Sequence, residues 1–294
     1  MERIIKQILK SKPTIEGAGV RLKRVFGSYE VPTFDPFLLL DHFGSERPED
    51  YIKGFPWHPH RGIETVTYML NGEVEHGDSI GNTGVIRSGD VQWMTVGSGI
   101  IHQEMPRRYD GLMQGFQLWV NLPAKKKMIA PRYREITKDK IPVLKKEGAK
   151  TKVIAGRIDE TEGPVQDLAV NVEYLDVELK AGKTFEHATK KGCNVFVYIV
   201  EGSGYSDDTL IESQHCAVFG DGDSVKIGTK DGVRFLFISG EPLNESVAWG
   251  GPIVMNTEEE LAKAFQELEE GTFIKTGRTV KSSRDFYRGQ NFRP

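Results

Sequence analysis

Two stretches decide the fold and the chemistry of this chain: HPHRGIETVTYMLNG at residues 58–72 and GSGIIHQE at residues 97–104. In a β-strand, side chains two residues apart point to the same side. His58 and His60 therefore face together, and so do His102 and Glu104. Two such pairs on neighbouring strands of a barrel wall can converge on one point inside the barrel.

Three imidazoles and one carboxylate form a nitrogen and oxygen ligand set for one divalent transition metal. The set suits Fe(II), Mn(II), Ni(II), Cu(II) or Zn(II) and leaves open positions on an octahedral ion. An HxH pair alone is a weak signal in a chain with 7 histidines, but the HxE pair after a Gly-x-Gly turn makes chance a poor explanation. Structural zinc sites are usually closed and rich in cysteine, so the set favours catalysis or redox sensing.

The rest of the sequence is typical of an all-β protein with many tight turns. The 32 glycines recur between short runs rich in Val, Ile, Thr, Tyr and Phe. Strands are predicted at 64–70, closed by a hairpin turn at Asn71-Gly72, at 193–200, closed by Glu201-Gly202, and at 116–121. A helix is predicted at 257–270, where Thr257 and Glu260 have the spacing of a capping box.

An internal repeat indicates two copies of one β-domain. At a constant offset of 130 residues, the two copies match at Gly62 and Gly192, Val66 and Phe196, Tyr68 and Tyr198, and Gly72 and Gly202. A later block matches Gly97-Ser98-Gly99 with Gly220-Asp221-Gly222 at an offset of 123 residues. We therefore expect a first domain at residues 1–135 and a second at residues 136–294.

The second copy has lost the metal ligands. At these offsets, the counterparts of His58, His60, Glu64, His102 and Glu104 are Ala188, Lys190, Asn194, Val225 and Ile227. The second domain is therefore expected to be structural. His187 and His215 are interpreted as surface or interface histidines, and His42 and His76 are not favoured as ligands.

Composition excludes several classes of function. A net charge of −3 from 39 basic and 42 acidic residues gives no basic field for direct nucleic-acid binding. The run Lys125-Lys126-Lys127 is interpreted as a solvated loop. Two isolated cysteines fit a reducing compartment, and no secretory signal or membrane-spanning stretch is visible. The expected location is the cytoplasm, or the nucleus if the source is eukaryotic.

Several motifs together resemble the pirin family of the cupin superfamily. They are FDPFLL at 34–39, HPHRG at 58–62 with ETV at 64–66, GDVQWMT at 89–95, GIIHQEMP at 99–106, QLWVNL at 117–122, GDSV at 222–225, GEPL at 240–243 and the stretch from Gly251-Pro252 to Thr257. The resemblance covers nearly the whole chain. It implies two tandem cupin barrels, of the double-stranded β-helix or jelly-roll type, with a C-terminal helix.

The resemblance also implies a ligand set and a reaction. In general cupins the glutamate at the position of Glu64 is often a ligand, whereas pirins use the one at Glu104, so Glu64 is placed beside the ligands, where it can hold an imidazole or a proton. Pirin-like proteins are associated with iron, expected here as Fe(II), and with quercetin 2,3-dioxygenase activity. In that reaction O2 cleaves the flavonol ring after Glu104 or Glu64 accepts the proton of the flavonol 3-hydroxyl group. Met69, Met94, Trp93 and Trp119 are candidate lining residues, or ordinary core residues.

A second hypothesis belongs to a different class of function. Some pirins resemble non-enzymatic regulators, in which the oxidation state of iron changes a surface that protein partners recognise. The sequence shows neither a basic nor an apolar surface patch that would favour this role over catalysis.

Overall fold

The structure is a computed structural model that describes residues 1–275. Its first part contains a short helix, α1 (Val31–Phe34), and strands that cover most of the chain up to Ile136. They are β1 (Ile5–Lys10), β2 (Lys12–Glu16), β3 (Val20–Phe26), β4 (Phe37–Ser45), β5 (Phe55–His60), β6 (Ile63–Asn71), β7 (Glu73–Asp78), β8 (Thr83–Arg87), β9 (Val91–Thr95), β10 (Ile100–Pro106), β11 (Met113–Asn121) and β12 (Arg132–Ile136).

The second part repeats the pattern of short strands and ends in a helix, α2 (Glu258–Glu270). Its strands are β13 (Val143–Lys146), β14 (Ala149–Ala155), β15 (Arg157–Ile158), β16 (Thr161–Glu162), β17 (Val172–Leu179), β18 (Thr184–Ala188), β19 (Asn194–Ser206), β20 (Thr209–Glu212), β21 (His215–Phe219), β22 (Ser224–Gly228), β23 (Val233–Gly240), β24 (Ala248–Gly250) and β25 (Ile253–Met255). The predicted all-β class with a C-terminal helix is confirmed.

The chain forms two compact units. The N-terminal barrel consists of Pro13–Lys23, Leu39–Thr137 and the described residues 244–275. The C-terminal barrel consists of Met1–Lys12, Arg24–Leu38 and Lys138–Leu243. Each barrel therefore contains a segment from the opposite end of the chain. The domain boundary expected between residues 135 and 136 stays a prediction.

The N-terminal barrel is built from two sheets that face each other. One has the strand order β12-β9-β6-β11-β4-β3-β2, and the other has the order β5-β10-β7-β8. Apolar side chains from both sheets pack between them, among them Met69, Val74, Ile86 and Met113. Burying these side chains supplies most of the free energy that holds the two sheets together.

The C-terminal barrel has the same arrangement around the repeat. β6 lies between β9 and β11, and β19 lies between β21 and β23 in the other barrel. Gly62 and Gly192 have φ angles of 80° and 78°, and Gly72 and Gly202 have 98° and 74°. The matching glycines therefore have the same left-handed backbone, which explains why the repeat retained glycine there.

Three local expectations need correction. Asn71-Gly72 does not close a hairpin, because β6 and β7 lie in different sheets and the turn carries the chain from one to the other. Strand β19 does not end at Glu201-Gly202: it bends there and continues to Ser206, pairing with β20 beyond the bend. Lys127 is not solvated, since its exposed fraction is 1%.

The C-terminal helix begins as predicted. The Thr257 hydroxyl group accepts a hydrogen bond from the Glu260 backbone N–H, and the Glu260 carboxylate accepts one from the Thr257 backbone N–H. Leu261 and Leu268 are buried on one face of α2 and pack with Ile101 and Ile253 of the N-terminal barrel. No helix among the described residues is long and apolar enough to cross a membrane.

The buried His42 predicts a loss of stability in acid. Its Nε2 atom accepts a hydrogen bond of 2.8 Å from the Gln114 amide, and burial, with the Lys23 charge, lowers the pKa of His42 to about 3. Between pH 6.5 and 4 the unfolded chain binds a proton at this residue that the folded chain does not. The free energy of unfolding should therefore fall by up to about 1.4 kcal/mol per pH unit from this group alone.

His42→Gln should remove that contribution. Urea unfolding of the metal-free protein at pH 7.5, 6.5, 5.5 and 4.5 would show a shallower fall for the variant below pH 6.5. Above pH 7 the difference between the two proteins should be constant. Parallel curves throughout the acid range would contradict the assignment.

Candidate metal centre

Two neighbouring strands of the four-stranded sheet carry the predicted ligands. β5 carries His58 and His60, β10 carries His102 and Glu104, and the antiparallel register pairs His102 with His58. Strand alternation then places all four side chains on the same face of this sheet. The expectation that two short motifs meet on adjacent strands agrees with this geometry.

The structure brings three imidazoles together at one point. The Nε2 atom of His58 lies 3.0 Å from Nε2 of His60 and 2.9 Å from Nε2 of His102. One ligand atom from each of the three residues lies within 4.8 Å of the other two. Two nitrogens bound at about 2.1 Å to one ion and at right angles to each other lie about 3.0 Å apart. The spacing therefore fits adjacent positions on an octahedral metal ion.

Backbone carbonyl groups fix the orientation of two of the rings. The Nδ1 atom of His58 donates to the carbonyl oxygen of Pro56 over 2.8 Å, and Nδ1 of His60 donates to that of Pro252 over 3.0 Å. With the proton on Nδ1, the lone pair of each ring is on Nε2 and points into the cluster. The Nδ1 atom of His102 is buried and has no hydrogen-bond partner among the described residues.

Burial keeps the three imidazoles neutral. It lowers the pKa of His58 to about 4 and the pKa values of His60 and His102 well below the usual range. Neutral imidazoles with converging lone pairs are the form that binds a divalent cation. The donor set thus fits a transition metal, although it does not select one metal among several.

Glu104 lies beside the cluster without belonging to it. Its side chain is buried, and burial raises the pKa of the carboxyl group. The Thr67 hydroxyl oxygen lies 3.0 Å from Glu104 Oε1 and 2.7 Å from Oε1 of Gln117. A hydroxyl group has one proton, so Thr67 donates it to one of these two acceptors at a time. Direct ligation by Glu104 stays a prediction.

The structure does not bring Glu64 to the imidazoles. Glu64 is three residues from Thr67 on β6, so its side chain points to the opposite face of the strand. There its carboxylate accepts hydrogen bonds from Thr95, over 2.6 Å, and from the Trp93 indole, over 3.1 Å. Burial raises the pKa of Glu64, but these contacts place the group away from Glu104.

A third strand contributes His76, which the sequence did not favour as a ligand, and Asp78. β7 lies on the other side of β10, where His76 pairs with Glu104 and Asp78 pairs with His102. The ring of His76 lies 5.5 Å from that of His102, and its Nε2 atom lies 3.2 Å from the Asp78 carboxylate. The motif His76-Gly77-Asp78 has the same i, i+2 spacing as the two ligand motifs, and that spacing was the available signal.

Aromatic rings border the imidazoles. Trp119 lies 4.9 Å from the His60 ring and 5.9 Å from Trp249, and both tryptophans are partly exposed. Of the other candidate lining residues, Met69 and Met94 are completely buried, and Trp93 lies with Glu64. Trp119 is therefore the candidate lining residue that contacts the cluster.

The C-terminal barrel retains a single remnant of the ligand set. His187 pairs with Val225 on β22, as His58 pairs with His102, so His187 and not Ala188 is the counterpart of His58. Its exposed fraction is 6%, and its Nε2 atom lies 3.2 Å from Glu173. His187 is therefore not a surface histidine, and an interface role stays a prediction. In the described part of the chain, the three-histidine cluster of the N-terminal barrel is the one group of three or more His, Cys, Asp or Glu side chains that could hold a metal ion.

Two β-barrels, the first with a cluster of three histidines that could hold a metal ion, define a bicupin. The family model described as Pirin matches residues 19–120, and the model of the pirin C-terminal cupin domain matches residues 174–274. The chain belongs to the pirin family. The resemblance drawn from the motifs is confirmed.

Similar proteins cover nearly the whole chain. A pirin-like protein of Caulobacter vibrioides is 45% identical over 92% of this chain and 99% of its own. A Pseudomonas aeruginosa protein, provisionally named a quercetin 2,3-dioxygenase, is 41% identical over 92% of this chain and 97% of its own. The crystal structure of a quercetin 2,3-dioxygenase from Acinetobacter baumannii has a TM-score of 0.87 and 32% identity, covering 93% of this chain and 99% of that one.

The lowered pKa values predict that metal binding resists acid. Imidazoles with an ordinary pKa of about 6.5 would each lose about tenfold in affinity at pH 5.5, or about a thousandfold for three. Here the three rings are already neutral at pH 5.5, so we expect the affinity for Co(II) to change by less than about tenfold between pH 7.5 and 5.5. Competition with a chromophoric chelator, corrected for chelator protonation, measures this change.

The variant His102→Ala provides the control for this titration. Any Co(II) that it still binds belongs to other sites and is subtracted. A thousandfold loss of the remaining affinity at pH 5.5 would show that the imidazoles titrate normally.

Proposed function

We propose that this chain is an iron-dependent dioxygenase that cleaves flavonols such as quercetin with O2. The observation that carries the proposal is the convergence of three neutral imidazoles beside a buried carboxyl group. The Nε2 atom of His58 lies 3.0 Å from that of His60 and 2.9 Å from that of His102. Three facing donors leave room on an octahedral ion for both a substrate oxygen and O2. The similarity to proteins named quercetin 2,3-dioxygenases supports the same reaction.

Bound iron would act as a Lewis acid that lowers the pKa of the flavonol hydroxyl group and would bring the two reactants together. The protein provides the ligands His58, His60 and His102, with Glu104 as the proposed fourth. The rings of His58 and His60 are held in the required tautomer by the carbonyl oxygens of Pro56 and Pro252. The metal is proposed as Fe(II) because pirin-like proteins are associated with iron. The same nitrogen and oxygen donors also accept Mn, Ni, Cu or Zn, and availability as well as affinity decides among them.

Glu104 is the proposed proton acceptor. Burial raises the pKa of the Glu104 carboxyl group toward neutral pH. A general base works best when its pKa lies near the pH at which the enzyme operates. The Thr67 hydroxyl group contacts both Glu104 and Gln117. A proton taken up by Glu104 would therefore stay within a hydrogen-bonded chain of three side chains. Glu64 is not suited to this step, because it lies on the opposite face of β6.

The partly exposed tryptophan pair suits a planar aromatic substrate. Trp119 contacts His60 edge to face, so a flavonol with an oxygen near the imidazoles would lie against this ring. Aromatic rings stacked in this way contribute about 0.5–1.5 kcal/mol beyond the area that they bury. The two tryptophans therefore support an aromatic substrate class over a small aliphatic acid.

Oxygen uptake tests the proposal. The iron-loaded protein should consume O2 with quercetin, and His58→Ala should lose both iron and uptake. Glu104→Gln should lower the rate by about a hundredfold or more through loss of the base. The matched substitution Glu64→Gln should retain most of the rate.

An iron-loaded wild-type protein that consumes no O2 with any flavonol would overturn the enzymatic proposal. If Fe(II) and Fe(III) forms then bound a protein partner differently, the regulatory alternative would replace it. Equal losses in Glu104→Gln and Glu64→Gln would remove the assigned role of Glu104.

A further inference from the structure

The residues that follow the HxH motif contact the end of the chain. Arg61 forms a β-bridge with Ile253, and the Val254 backbone donates a hydrogen bond of 3.1 Å to the Arg61 carbonyl oxygen. We call residues 244–275, which contain β24, β25 and α2, the C-terminal arm. The arm belongs to the N-terminal barrel, and through it the turn between β24 and β25 comes next to His60.

The arm makes one contact with a metal-binding side chain. The carbonyl oxygen of Pro252 accepts the hydrogen bond from Nδ1 of His60 over 3.0 Å. His60 is 3% exposed, so water does not readily replace a lost partner at this nitrogen. The tautomer of His60, and with it the direction of its lone pair, therefore depends on the position of the arm.

Lys127 connects the arm to the strand that carries His60. Its ammonium group donates to the carbonyl oxygens of Gly62, over 2.9 Å, and Val254, over 3.0 Å, and to Asn121 Oδ1, over 2.6 Å. Burial lowers the pKa of Lys127, whereas three acceptors in hydrogen-bond distance favour its charged form. A buried ammonium group with all three protons donated is a rigid connection between two backbone segments.

Arg61 makes the second connection. Its guanidinium group donates to the Ser98 carbonyl oxygen over 2.8 Å, to Glu267 of α2 over 2.7 Å and to the Phe273 carbonyl oxygen over 2.8 Å. It also lies 4.1 Å above the centre of the Phe273 ring. Its side chain is 2% exposed, so these contacts are made without competition from solvent.

Gly62 lets the arm approach. A Cβ atom at this position would lie 1.9 Å from the Val254 carbonyl oxygen, and the φ angle of 80° is one that other residues rarely adopt. The motif HPHRG therefore combines two proposed metal ligands, His58 and His60, with two residues that receive the arm.

We propose that the C-terminal arm is part of the metal centre, with Lys127 and Arg61 as positioning residues that hold the Pro252 carbonyl oxygen against His60 Nδ1. Loss of either connection loosens the arm, lets the His60 proton move between Nδ1 and Nε2, and weakens metal binding without removing a ligand. This inference rests on the metal-binding part of the proposed function and is independent of flavonol cleavage.

Two variants and one control test the inference. Lys127→Met removes the three donated hydrogen bonds and keeps an apolar stem of similar length. Glu267→Gln weakens the Arg61 connection and leaves Lys127 intact. Lys125→Met, at an exposed position two residues from Lys127, is the matched control.

The first measurement uses the metal-free protein with 15N-labelled histidine. Long-range 1H–15N spectra should show the wild-type and Lys125→Met His60 ring with the proton on Nδ1. Both test variants should show a mixture of tautomers. The second measurement, chelator competition with Co(II) alone, should give an affinity about ten- to a hundredfold lower in both variants.

Hydrogen exchange of residues 244–275 separates the outcomes. Faster exchange in the arm with unchanged tautomer and unchanged Co(II) affinity would show that the arm is only structural and would overturn the inference. If Lys127→Met does not fold, Glu267→Gln gives the same two readouts. A protein that passes both measurements but consumes no O2 with flavonols would overturn only the proposed activity.

Discussion

The antiparallel pairing of β5 with β10 places His102 opposite His58, and every other feature of the metal centre depends on this register. A slip of one residue would turn the imidazoles of one strand to the other face of the sheet. The register is held by strands on both sides, because β7 pairs with β10 over five consecutive residues. Three strands with the same i, i+2 pattern thus gather His58, His60, His102, Glu104 and His76 on one wall.

The sequence predicted features that depend on local periodicity. The facing of His58 with His60, the end of β11 before Pro123 and the capping of α2 by Thr257 follow from residues close together in the chain. The repeat predicted two equivalent barrels, because glycines with positive φ mark the same turns in each. Apart from the meeting of the two ligand motifs on neighbouring strands, the sequence alone did not predict which distant segments pair. The crossing at Asn71-Gly72 and the burial of Lys127 depend on such pairing.

The choice between the two glutamates also depended on the folded structure and not on the nearby sequence. From the residues alone, Glu64 and Glu104 were equivalent candidates for a proton acceptor. Thr67 on β6 contacts Glu104. Glu64 is three residues away from Thr67 on the same strand, so its side chain points to the opposite face, away from Glu104. His187 was misplaced for a related reason: a constant offset of 130 residues assigned Ala188 to His58, whereas the pairing of β18 with β22 is shifted by one residue.

The hydrogen bond between His60 and Pro252 joins residues that are 192 positions apart. During synthesis on the ribosome, the three histidines therefore emerge long before the carbonyl group that orients one of them. A nascent or prematurely terminated chain has all the imidazoles but not the arm, and its N-terminal barrel is incomplete. His60 therefore acquires the partner of its Nδ1 atom only when the chain has been synthesised beyond residue 252.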